Sequence, residues 1–127
     1  CKADLLLAST SKVDSVDLYL AEIYNYRERA YALAIEHYLR EKVLLEHSYI
    51  LNFGLAFAYY NNREYRKAVP FFSKAIDLVP SSGEAYYFRG LSYNSINEQS
   101  KACQDYQKAM ELNYSRASIS YDALCHF

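Results

Sequence analysis

Apolar and small positions along this chain recur with helical spacing, and the pattern itself recurs at a fixed distance. Ala68, Phe72, Ala75, Leu78 and Pro80 return 34 residues later as Ala102, Tyr106, Ala109, Leu112 and Tyr114. Leu55, Ala56 and Tyr59 return at the same interval as Arg89, Gly90 and Tyr93. One step back, the set beginning at Ala68 becomes Ala34, Tyr38 and Leu44, with Glu41 in place of a small residue. The set beginning at Leu55 becomes Leu20, Ala21 and Tyr24, now offset by 35. One extra residue in the turn around Arg27–Ala30 would account for that offset.

These spacings predict pairs of helices. A triplet at i, i+1 and i+4 marks one face of a first helix. The small residue in it lets a second helix approach closely, and the aromatic four residues along the second helix fills the gap between pairs. Asn62-Arg63-Glu64 and Asn97-Glu98-Gln99-Ser100 fall where the turn inside each unit belongs. Pro80 ends the second helix of the middle unit, because proline cannot continue a helix.

Composition narrows the reading. At 127 residues the chain is one domain's worth, 52% hydrophobic and 23% charged, the balance of a folded domain. Three Gly and two Pro are too few for a turn-rich β fold. Fourteen basic against fifteen acidic residues give no basic excess, so no general nucleic-acid surface is expected. No apolar run approaches the length needed to span a bilayer. Fifteen Tyr and six Phe without a Trp point first to packing between helices, then to a binding surface.

The stretches SYILNFGLAFAYYNNREYRKAVPFFSKAIDLVP and GEAYYFRGLSYNSINEQSKACQDYQKAMELN, with their 34-residue period, resemble tetratricopeptide repeats (TPRs). That resemblance implies an all-α fold, a right-handed superhelical stack of antiparallel helix pairs (a TPR solenoid). Repeats 49–82 and 83–116 follow a degenerate repeat at about 14–48, and residues 1–13 form a tether. Residues 117–127 read as a capping helix that hides the last apolar face, which suits a natural terminus. Arg89 in an apolar position and Tyr114 in place of proline depart from the family pattern.

The resemblance also implies a function, binding a protein or peptide partner in a concave groove lined by the first helices. The groove positions carried over are Ile50, Phe53, Phe57, Tyr60 and Asn61 in one repeat. In the next they are Glu84, Tyr87, Leu91, Asn94 and Ser95. The degenerate repeat contributes Leu18, Glu22, Asn25 and Tyr26. Relatives that clamp a peptide's terminal carboxylate use Lys, Arg and Asn at such positions; Phe53, Phe57, Tyr87 and Leu91 disfavour that chemistry here. An aromatic groove suits an amphipathic helix or an extended apolar peptide. Phe53 and Phe57 packing inside the protein is the competing reading.

Cys103 and Cys125 lie eleven residues either side of a turn centred near Tyr114, which puts them at one height on antiparallel helices. A disulfide is the expectation and two free thiols the alternative. The segment KACQDYQKAMELNYSRASISYDALC resembles the close of small TPR proteins of bacterial envelopes, where such a pair would be oxidised. The start CKADLLLASTSKVDS resembles a mature lipoprotein, with Cys1 as the lipidated residue and that lipid the only membrane contact. An arbitrary fragment start is the alternative.

No phosphate-binding glycine loop, CxxC or HExxH occurs, and neither His37 nor His47 has a cysteine or acid at metal-ligand spacing beyond chance. A zinc site from Cys103, Cys125 and His126 lacks a fourth ligand. The chain is therefore expected to have no catalytic residues, no metal and no cofactor. Two roles remain. One is an envelope adaptor in the periplasm or at the outer membrane, holding a partner or a larger membrane-associated assembly. The other is a TPR portion of a larger cytoplasmic regulator that mediates self-association.

Overall fold

The computed structural model describes residues 18–41 and 44–126, and among these every regular element is helical. Helix α1 comprises residues 18–22 and runs directly into a π turn, Ile23–Arg27. Next come α2 (Tyr31–Leu39), a 3-10 turn (Leu44–Glu46), α3 (Tyr49–Asn61) and α4 (Tyr65–Leu78). The order closes with α5 (Gly83–Ser95), α6 (Gln99–Glu111) and α7 (Arg116–Leu124). Each helix packs chiefly on its chain neighbours, so the molecule is an all-α stack of antiparallel pairs. Cys1 and the tether 1–13 lie outside the described residues, as does the start of the degenerate repeat.

Local chemistry follows the same 34-residue interval. Ser48 and Ser82 cap α3 and α5, their hydroxyl oxygens accepting from Leu51 N at 3.2 Å and Ala85 N at 3.1 Å. Arg29, Arg63 and Asn97 occupy the turn inside each unit and all take the left-handed conformation, with φ of 54°, 64° and 64°. Two of these turns close alike: Glu64 N donates to Tyr59 O and Glu98 N to Tyr93 O, five residues back in each case. In the first unit Ala30 N donates to Tyr24 O, six residues back. That is the extra residue.

Its position corrects the sequence reading. The insertion sits upstream of Arg27–Ala30, as the π turn Ile23–Arg27, in which Glu28 N bonds Ile23 O. A π turn absorbs one added residue without breaking the helix, and rotates whatever follows it. Asn25 is thereby turned inward, fully buried, and its Nδ2 donates to Gly54 O at 3.0 Å.

Tyr38, Phe72 and Tyr106, again 34 apart, are the largest fully buried aromatics and form the spine of the core. Close approach depends on glycine at two places. A Cβ on Gly90 would lie 2.7 Å from the Tyr106 ring, and one on Gly54 2.5 Å from the Tyr38 hydroxyl.

Arg89, apolar in the family pattern, is held by a built partner. Its Nε and Nη2 donate to the two Asp105 oxygens at 2.8 and 2.7 Å, and its Nη1 to Ser73 Oγ at 3.1 Å. The Tyr86 and Tyr93 rings lie 5.4 and 5.7 Å from its guanidinium carbon. Leu55 and Phe71 occupy the equivalent positions one repeat earlier. An apolar pair in one repeat is thus an ion pair in the next, tying α4, α5 and α6 together.

Candidate binding groove

The first helices of the units touch one another directly, α3 meeting both the π turn and α5, and so they form one face of the stack. A run of aromatic contacts crosses it. Tyr26 stacks on Phe57 at 5.4 Å, Phe57 on Phe53 at 6.1 Å, and Phe53 on Tyr49 at 5.7 Å. Phe88 joins the next helix to this run, edge-on to Phe57, Phe53 and Tyr60 at 5.3, 6.0 and 5.8 Å. Tyr87 continues it toward Tyr114 at 5.2 Å, beneath the Arg116 guanidinium at 5.5 Å.

Burial sorts this face into a floor and a rim. Phe53, Tyr87 and Phe88 keep only 8, 7 and 8% of their surface, whereas Ile50 keeps 68% and Tyr26 51%. The sequence placement of Phe53 and Tyr87 on the partner-facing surface is therefore corrected. Phe53 is wedged against Phe72, 5.7 Å away, and Tyr87 leans on Tyr106 at 6.0 Å, so both belong to the core. Asn25 is corrected likewise, since the π turn directs it inward onto Gly54. The remaining expected residues spread along the rim: Ile50, Glu84 and Ser95 exposed, Phe57, Tyr60, Asn61, Leu91 and Asn94 half-buried. Two of them spend hydrogen bonds on their own helices, Asn61 Nδ2 to Phe57 O and Ser95 Oγ to Leu91 O.

Two residues of this face escaped the repeat comparison. Phe88, the hub of the ring contacts, corresponds to Gly54 one repeat earlier, so recurrence gives it no signal. Tyr49 shares a hydrogen bond with Ser82 Oγ at 2.7 Å and so fixes the start of α3 to the cap of α5. Burial raises both the Tyr49 and Tyr60 hydroxyls above the ordinary tyrosine value. For Tyr26, burial and then the Glu22 and Glu84 carboxylates push the hydroxyl up to about 12.

At the other end of the stack the structure joins Cys103 of α6 to Cys125 beyond α7, with their Cα atoms 5.7 Å apart. Gln99 Nε2 donates to Leu124 O at 2.6 Å beside it. Among the described residues no group of three or more His, Cys, Asp or Glu is arranged to hold a metal, and no helix is long and apolar enough to cross a membrane.

A stack of antiparallel helix pairs with an aromatic face on its first helices defines the class of helical-repeat interaction domains. The tetratricopeptide repeat profile matches residues 50–81 and 83–116, more than half of the chain, and the chain belongs to that family. Solved structures agree on the fold. The first TPR of Spaghetti (RPAP3), bound to the HSP90 peptide SRMEEVD, matches with a TM-score of 0.80 at 21% identity, over 87% of this chain and 89% of that one. The second TPR domain of human RPAP3, in complex with an HSP70 peptide, matches with 0.81 at 21% identity, over 91 and 98%. MamA matches with 0.81 at 27% identity, over 93% of this chain and 70% of that one.

Proposed function

We propose that this domain is a non-catalytic adaptor that binds a peptide segment of a partner protein along the rim formed by Tyr26, Ile50, Phe57, Tyr60 and Leu91. One observation carries the reading: a rim of exposed and half-exposed apolar side chains lies over an aromatic floor rigid enough to present them. The RPAP3 domains holding HSP90 and HSP70 peptides support the peptide class of ligand. The acidic ends of those peptides find no Lys or Arg at this chain's carried-over groove positions.

The test is affinity purification of the native protein, with Ile50→Asp and Leu91→Asp variants in parallel. Loss of the accompanying partner at unchanged melting temperature is the expected result. Partners retained by both variants would move the site elsewhere.

For location, we propose an envelope adaptor role near a membrane-associated assembly, in an oxidising compartment such as the bacterial periplasm. The Cys103–Cys125 pair is what supports it. Intact mass of the native protein tests this and the lipid on Cys1 together: an added diacylglyceryl mass is expected, and two free thiols at 103 and 125 would remove the support.

A further inference from the structure

The groove is electrostatically lopsided. Glu22 lies one turn before Tyr26 on the first helix, and both are exposed. Glu84 lies in the first turn of α5, two residues beyond Ser82, whose hydroxyl is bonded to Tyr49. The Tyr26 ring, stacked on Phe57, therefore feels both carboxylates, and Tyr49, stacked on Phe53, feels Glu84. Neither carboxylate forms an ion pair among the described residues. Arg116 lies over Tyr87 and acts on Tyr60 and Tyr114, so its charge falls on the α5–α7 side of the groove.

We propose that this amino-terminal half of the groove recognises a basic, amphipathic peptide segment. Its Lys or Arg side chains are received by Glu22 and Glu84 and by the open face of Tyr26, and its apolar side chains rest on Ile50 and Phe57. The inference rests on the groove reading and adds the sign of the ligand's charge. A cation here gains from both carboxylates and from the ring. An acidic segment meets two like charges at this end of the groove, so the same geometry disfavours it. The raised hydroxyl of Tyr26, to which burial and then both carboxylates contribute, agrees with a negative potential at this spot.

The experiment measures binding of three fluorescent peptides to the full chain by anisotropy. They are an amidated Leu/Lys peptide of repeating pattern LKKLLKL, the same peptide with Glu for every Lys, and SRMEEVD. The Leu/Lys peptide is expected to bind, and more weakly as salt is raised. Glu22→Gln and Glu84→Gln should each weaken it about three- to fivefold. Glu111→Gln, on the outer helix α6, should leave it unchanged. Equal or tighter binding of either acidic peptide, or unaltered affinity in both Gln groove variants, overturns the proposal. If an acidic peptide binds and is lost in Ile50→Asp and Leu91→Asp, the groove stands and only the charge assignment falls. If no peptide and no native partner responds to those two variants, the groove reading itself falls.

Discussion

The first and last repeats solve the same packing problem by opposite means. The first absorbs an irregularity: a π turn takes up one residue, the turn closes over six residues, and the buried Asn25 amide holds the Gly54 carbonyl. The last keeps the regular five-residue closure and adds cross-links, the Arg89–Asp105 pair and the join between Cys103 and Cys125. The middle repeat, which must offer a complementary face on both sides, has neither device and holds Phe72 where its neighbours have tyrosine. The two repeats that flank the middle one thus depart from its pattern in different ways.

The largest difference should appear when each repeat loses its own polar tie. Asp105→Ala leaves Arg89 four-fifths buried without a carboxylate and is expected to cost about 3–5 kcal/mol. Asn25→Ala in the first repeat removes one bond to the Gly54 carbonyl, which keeps its partner within α3, and also removes the unpartnered Asn25 Oδ1, so about 1 kcal/mol is expected. Urea unfolding of both variants measures this, and an Asn25→Ala cost equal to or above that of Asp105→Ala would invert the comparison.

Next in size is the covalent tie. Replacing Cys103 and Cys125 together by serine removes a bridge across 22 residues, for which loop closure gives about 3 kcal/mol. Amide hydrogen exchange should then quicken first in α7, which packs chiefly on α6. Unchanged exchange in α7 would mean that packing, and not the bridge, holds it.

The smallest effect has opposite signs at the two ends. The Tyr106 hydroxyl is buried without a hydrogen-bond partner, so Tyr106→Phe should be neutral or stabilising by up to about 1 kcal/mol. The Tyr38 hydroxyl lies over Gly54, beside Asn25, and Tyr38→Phe should cost about 1 kcal/mol. Thermal unfolding of the two variants decides it, and shifts of the same sign would contradict the assignment.

How far the sequence foretold these features depends on whether they repeat. Ala68, Phe72 and Ala75 declare the fold because close helix approach needs the same residue sizes in every unit. The extra residue was legible as 35 instead of 34, but not its site, since several consecutive positions give the same count. Placing it too late left Asn25 on the groove when it is in the core. Phe53 and Tyr87 misled for another reason: a helix face carried over from relatives fixes direction but not depth, and depth here is set by Phe88. The Arg89 departure is explained only once Asp105 is seen to stand where the preceding repeat has Phe71.

The bridge between α6 and α7 also changes how the chain would carry load. A pull applied at His126 passes through Cys125 directly into Cys103, and the residues between them are bypassed. At about 3.4 Å per extended residue, roughly 75 Å of contour length stays hidden until the bridge is cut. Tension therefore enters at the start of α6, one turn from its first residue, and the final hairpin behaves as a rigid shackle. In a single-molecule stretching trace, that length should appear only after reduction.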